Sequence, residues 1–212
     1  MKSTGLNCYA NQVLPLSKNE QAVIEAKIAQ KYSEILNLLR IDTKTDHNTK
    51  GTAKRVARLL VRDACGGRFQ NKPRMTCFPN ALNLDQLYTV GPIAIRSLCS
   101  HHFLPVIGNV WIGLIPSRKV MGLSKFNRLA QWVMGRPQIQ EEATIQLADE
   151  IELLLKPKGL GVVVKANHTC MTWRGVKDKD TEMVTSVMRG TFRENMAARG
   201  EFLTFIGGQQ FK

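Results

Sequence analysis

The sequence predicts an α+β fold with an antiparallel sheet, on three observations. Apolar residues recur at helical spacing over two successive segments, and the period then becomes strand-like over two more. Helices and strands afterwards continue in pairs rather than alternating one by one, as a parallel βαβ chain would. With 212 residues, 43% of them hydrophobic and 22% charged, and only eight prolines, the chain has a globular composition and the apolar content for one large domain. A disordered, collagen-like or low-complexity polypeptide is excluded.

Ile24, Ile28, Tyr32, Ile35 and Leu39 share one helix face, which predicts a helix over 18–40. Ala53, Val56, Ala57, Leu60 and Ala64 predict a second helix over 49–65, stopped by Gly66 and Gly67. Residues 66–84, with Pro73 and Pro79, read as a connection. Residues 87–98 and 104–115 are rich in Val, Ile, Tyr and Trp and read as strands, with Gly108-Asn109 as a turn or bulge within the second. Residues 123–134 are helical again. Pro137, suited to a first helical turn, then opens a helix carrying Ile139, Ala143, Leu147, Ile151 and Leu154 on one face and ending at Pro157 and Gly159. Val162, Val163 and Val164 mark a buried strand over 161–167, residues 171–193 suit a further strand pair, and 195–206 closes as a helix. The expected organisation is a tail over 1–17, a helical region and connection over 18–84, a sheet-bearing domain over 85–206 and a tail over 207–212.

Lysine and arginine number 30 against 17 acids, a formal charge of +13, so an anionic partner is expected. Residues 50–74 hold eight bases against Asp63 alone, and Lys54, Arg58 and Arg62 fall on one helical stripe. That stripe suits a phosphate-tracking surface or an ordinary solvated face. No nucleic-acid-binding module is visible, which sets nucleic acid below a small phosphate ligand. Five scattered cysteines do not make a disulfide framework and fit a reducing cytoplasm. No apolar run approaches the roughly 20 residues of a membrane helix, and residues 1–10 lack the apolar stretch of an export signal. The expectation is a cytoplasmic protein without a membrane partner.

Three of the four histidines fall in two short segments, Cys99-Ser100-His101-His102 and His168-Thr169-Cys170, each at the end of a predicted strand. Residues i and i+3 of a turn converge, and residues i and i+2 of an extended chain point to one side, so Cys99 with His102 and Cys170 with His168 are candidate metal ligands. Thiolate and imidazole together select zinc among the common ions. A closed Cys2His2 site would be structural and three protein ligands with a water catalytic; the spacing itself leaves both open.

These two segments, together with Gly122-Leu123-Ser124-Lys125-Phe126-Asn127-Arg128, Arg136-Pro137-Gln138-Ile139-Gln140-Glu141 and Arg174-Gly175, closely resemble the GTP cyclohydrolase I family in order and spacing, over about residues 18–206. The resemblance implies a tunnelling fold (T-fold) assembled into a homodecamer, and conversion of GTP to 7,8-dihydroneopterin triphosphate and formate, a product from which folate, pterin and deazapurine routes branch. It implies Cys99, His102 and Cys170 as zinc ligands with water in the fourth position. His101 and His168 are then the acid/base groups, and Ser124 is a proton relay or phosphate contact. Glu141, with Gln140, becomes the guanine reader, since one carboxylate can accept from both the N1–H and the exocyclic amine. Lys125, Arg128 and Arg174 are implied as triphosphate contacts, joined by Arg55 from a neighbouring subunit.

Three positions depart from the family's usual pattern. Ser100 stands where Glu is usual, removing a charge beside the metal motif; Ala53 stands where Pro is usual; and Gly200 replaces a larger or polar residue. They mark a divergent member. The other readings are a relative acting on another purine triphosphate and, from +13 and a closed Cys2His2 site, a zinc-stabilised basic nucleic-acid-binding protein.

Overall fold

The structure, a computed structural model, describes residues 8–207. The expected tails therefore fall partly outside the described residues, at 1–7 and 208–212. Within the first of them, the backbone at Leu14 and Leu16 donates to Arg68 O and Phe69 O, at 2.6 and 3.0 Å.

Helix α1 (Lys18–Leu38) starts where a reciprocal capping box places it. Ser17 Oγ accepts from the Glu20 amide at 3.2 Å, and Glu20 Oε2 accepts from the Ser17 amide at 2.8 Å. Its expected apolar stripe is less buried than the periodicity implies. Leu36 alone is fully buried in α1, while Ile35 and Leu39 are exposed, because α1 packs chiefly on the next helix and not on the sheet.

That second helix, expected as one piece over 49–65, is α2 (Thr52–Arg58) running on into a π-helical turn, Leu59–Ala64, with Cys65 N donating to Leu60 O. Gly66 and Gly67 do not end the helical course but open a single further turn, α3 (Gly66–Phe69). A Cβ on Gly67 would lie 2.1 Å from Trp132 O, so the glycine serves close helix approach rather than termination. Within the predicted connection, β1 (Cys77–Pro79) pairs antiparallel with β4 (Lys119–Met121).

The main sheet has five strands in the order β5-β2-β3-β6-β7. Strands β2 (Tyr88–Cys99), β3 (Pro105–Ile115), β6 (Gly159–His168) and β7 (Met183–Gly190) are antiparallel. Three expectations change here. Pro137 does not open a helix: Pro137–Gln138 is a two-residue edge strand, β5, parallel to β2 at Leu98 and Cys99. Residues 171–193 hold one strand rather than two, preceded by the turn α6 (Thr169–Thr172). The irregularity lies in β2 between Val90 and Ile93, not at Gly108-Asn109, which pair in continuous register with Ile95 and Ala94. Gly108 is there for another reason, because a Cβ on it would lie 2.1 Å from Lys165 O on β6.

Side-chain alternation divides the sheet into two faces. Val110, Ile112 and Leu114 of β3, with Leu160, Val162 and Val164 of β6, meet α4 (Leu123–Met134) and α5 (Gln140–Leu155) through Phe126, Leu129, Val133, Leu147 and Ile151. Both helices thus cover one face of the sheet. Trp111 and Val163 point to the other face, under Phe192 of the turn α7 (Thr191–Glu194) and Phe202 and Ile206 of α8 (Met196–Gly207). Gly113 and Gly161 make room for the Phe202 ring, which a Cβ on either would meet at 2.5–2.6 Å. Around Gly200 the space is open, so packing does not demand the small residue there.

Candidate metal and substrate site

Three strand ends converge on the site. β2 ends at Cys99, and the chain turns through Ser100–Leu104, closed by Phe103 N donating to Cys99 O at 2.8 Å. β6 ends at His168, directly opposite Val106 of β3, and α6 carries Cys170 back toward Cys99. β5 aligns Gln138 with Cys99, which places Gln140 and Glu141, the first two residues of α5, beside the same strand ends. A cavity of about 430 Å³ is lined by Cys99, His101, His102, Gln140, Glu141, His168 and Cys170, among others. That is within the usual size range of small-molecule sites.

The donor atoms of Cys99, His102 and Cys170 all lie within 4.8 Å of one another, the only such group among the described residues. Cys99 Sγ is 3.9 Å from Nδ1 of both His101 and His102. Zinc held at about 2.3 Å from sulfur and 2.0 Å from nitrogen spaces its donors at roughly 3.5–3.8 Å, so the set fits with little adjustment. Electrostatics agree. The Cys170 thiol is pushed up by burial first and then by hydrogen bonding and charge from Cys99. Two thiols in contact oppose each other's ionisation, and a divalent cation between them reverses that opposition. All five cysteines are free.

His168 is half-buried, with its Nε2 2.8 Å from Gln140 Oε1. Burial holds its pKa below the usual histidine value, against a weaker upward pull from the Glu141 carboxylate. Gln140 is buried at 6% exposure, whereas Glu141 is exposed at the cavity mouth. Arg174 Nη1 lies 2.7 Å from His102 Nε2.

The remaining expected phosphate contacts do not line this cavity within one chain. Ser124 and Lys125 stand on the first turn of α4, whose N-cap is Gly122. Arg128, on the same helix, lines a separate cavity with Arg62, Gly66 and Gly67. Arg55 is held by its own loop, donating to Asn48 O at 3.1 Å and Thr52 Oγ1 at 3.0 Å. The basic segment 50–74 is also partly spent. Arg62 bonds Glu25 on α1, Nη2 to Oε2 at 3.1 Å, and Lys72 pairs with Glu150, so neither is free to track a phosphate chain.

Thr144 and Thr185, which bond Gln140, carry no signal in the sequence that marks them as site residues. Thr144 stands four residues after Gln140 on α5 and was legible as a neighbour; Thr185 comes from β7, 45 residues on in sequence, and was not.

The donor cluster at the strand ends makes this a candidate metal centre carried by an α+β sheet. A family model described as GTP cyclohydrolase I matches residues 28–207. The GTP cyclohydrolase 1 of Vibrio vulnificus is 36% identical over 178 residues, 84% of this chain and 82% of that protein. The enzyme of the same name from Flavobacterium johnsoniae is 36% identical over 181 residues, 85% and 80% of the two chains, and that from Shewanella amazonensis 34% over 189 residues, 89% and 86%. A crystal structure of an archaeosine synthase QueF-like protein aligns with a TM-score of 0.39 at 16% identity, over 57% of this chain and 97% of the other. The chain belongs to the GTP cyclohydrolase I family, as a divergent member. Among the described residues no helix is long and apolar enough to cross a membrane.

Proposed function

We propose that the chain is a zinc-dependent enzyme that converts GTP to 7,8-dihydroneopterin triphosphate and formate. The observation that supports this most is the convergence of Cys99, His102 and Cys170 with Glu141 and His168 on one cavity, in a chain of this family. When bound by these three residues, zinc would supply the Lewis acidity that makes water nucleophilic near neutral pH.

The chain's own residues do the rest. Glu141, acceptor-only when ionised, takes the N1–H and exocyclic amine of guanine, and so holds the purine with its imidazole ring in the cavity that Cys99, His102 and Cys170 share. Water adds at C8 and the imidazole ring opens; a second hydrolysis releases formate, and the ribose carbons close the new ring after an Amadori-type rearrangement. Each step moves protons on and off ring nitrogens. His168, whose pKa burial lowers, is suited to accept a proton, and His101, exposed beside Cys99, to deliver one. Ser124, Lys125, Arg128, Arg174 and Arg55 are assigned to the triphosphate and its proton relay. Because four of these stand away from the cavity in one chain, the reading includes a homo-oligomer, a decamer by family resemblance, in which neighbouring subunits bring them in. Residues 85–206 are the catalytic domain in this reading, 18–84 its helical partner, and the cytoplasm its compartment.

His101→Ala and His168→Ala test the division of labour. Both variants should retain zinc, by metal analysis, while formate release from GTP falls by about 10²–10⁴-fold, the usual worth of a positioned acid or base. A metal-free preparation of either would make that histidine a ligand and the site closed.

A further inference from the structure

Gln140 was expected, by family resemblance, to touch the substrate. Its hydrogen bonds tie both ends of the side-chain amide to the protein. Nε2 shares its two protons among three acceptors, Val164 O at 3.2 Å, Met183 O at 3.0 Å and Thr185 Oγ1 at 3.1 Å. Two of these partners are backbone carbonyls, which only accept, so the amide cannot be turned the other way without setting oxygen against oxygen. Oε1 is thereby committed to His168 Nε2 at 2.8 Å. A carbonyl oxygen cannot donate, so the proton lies on His168 Nε2, and the lone pair of the neutral ring is at Nδ1.

The hydroxyls around Gln140 are ordered in the same sense. Thr144 Oγ1 donates to Gln140 O at 2.7 Å, which uses its single proton. Its 2.7 Å contact with Thr185 Oγ1 must then be a bond that Thr185 donates. Thr185 has thus spent its own proton and accepts from Gln140 Nε2. Every bond in the set has one permitted direction, and the chain of directions ends at the His168 ring. The members come from α5, β6 and β7, whose packing fixes them together. Gln140 is itself buried, which keeps water from offering it other partners.

From this we infer that Gln140 is a positioning residue: with Thr144 and Thr185 it holds His168 in the tautomer that presents Nδ1, not Nε2, to the reacting purine. The kinetic consequence rests on the proposed function; the tautomer does not.

The test has two arms on the full chain. In ¹⁵N-histidine-labelled protein at about pH 8, above the ordinary histidine range, the His168 signal is identified by its loss in His168→Ala. It should report a neutral ring protonated at Nε2 in the parent and a mixture of tautomers in Gln140→Met, which keeps length but offers only a weakly accepting sulfur in place of the amide oxygen. A parent ring protonated at Nδ1, or an unchanged ring in Gln140→Met, overturns the inference. In the kinetic arm, Gln140→Met should lower kcat for GTP by about 10 to 100-fold, part of what a positioned acid or base is worth, with KM within about twofold, zinc content unchanged, and no further loss in a His168→Ala background. A raised KM, or a full effect without His168, would return Gln140 to substrate contact. If Gln140→Met does not fold, Thr185→Val is read in its place, with Thr185→Ser, which keeps the hydroxyl, expected to behave as the parent. Should the parent release no formate from GTP, the proposed function fails while the spectra still decide the tautomer.

Discussion

Cys170→Ala is expected to lose its zinc and, with it, all measurable turnover of GTP. Cys99, His102 and Cys170 are the only three mutually close ligand groups among the described residues, so removing one leaves two protein donors and no substitute. Losing an outer partner of a metal ligand already costs about 10 to 100-fold in affinity, and losing a ligand should exceed that. The fold should survive. Cys170 is only half-buried, and its apolar neighbours are the small cluster of Cys99, Val106 and Ala166 rather than the main core between the sheet and α4 and α5. The same substitution at Cys77, on β1, should leave zinc unchanged, because Cys77 packs against the core and belongs to no ligand group. Metal analysis of the two variants beside circular dichroism separates ligand loss from unfolding. A zinc-loaded, active Cys170→Ala would remove Cys170 from the site.

Glu141→Gln should reduce use of GTP by roughly 30 to 1,000-fold at subsaturating substrate. The change keeps the side-chain shape but replaces one acceptor oxygen with a donor amide, which would face the donor N1–H or amine of guanine. A lost charge-assisted bond together with an unpaired donor costs about 2 to 4 kcal/mol. An indirect effect through His168 works the other way. Glu141 raises the His168 pKa against the larger lowering by burial, so removing its charge shifts that ring further toward the neutral form. A loss of activity is therefore a loss of guanine reading. ATP should be a poor substrate for both proteins, since its N1 is an acceptor and its amine sits elsewhere on the ring. Unchanged kcat/KM for GTP in Glu141→Gln would reduce Glu141 to a first-turn carboxylate of α5, favoured there by the helix dipole.

Where chemistry depends on neighbours in sequence, it was legible. Cys99 and His102 converge because three residues span one turn, and α4 and α5 announce themselves by apolar spacing that the core between helix and sheet then uses. Positions decided by distant partners read differently. Pro137 has no N–H, which suits a first helical turn and an edge strand equally; the choice was made by β2, whose Leu98 it pairs with. Gly108 has the composition of a turn, yet it is a passage where the β6 backbone comes too close for a Cβ. Arg62 looked like part of a phosphate stripe because Glu25, its partner, is 37 residues away. In the site, local spacing picked out Cys99, His102, His168 and Cys170 as candidates and the family resemblance chose among them, whereas the role of Gln140 depends on Thr185 and on the β6 and β7 carbonyls, contacts that exist only once the sheet is built.

The most direct measurement is incubation of the purified, zinc-loaded protein with GTP, reading formate release and the fluorescence of the oxidised pterin product together. One formate per pterin, with no such product from ATP, is the expected result. Formate without pterin fluorescence, or neither from GTP while another purine triphosphate is consumed, would contradict it.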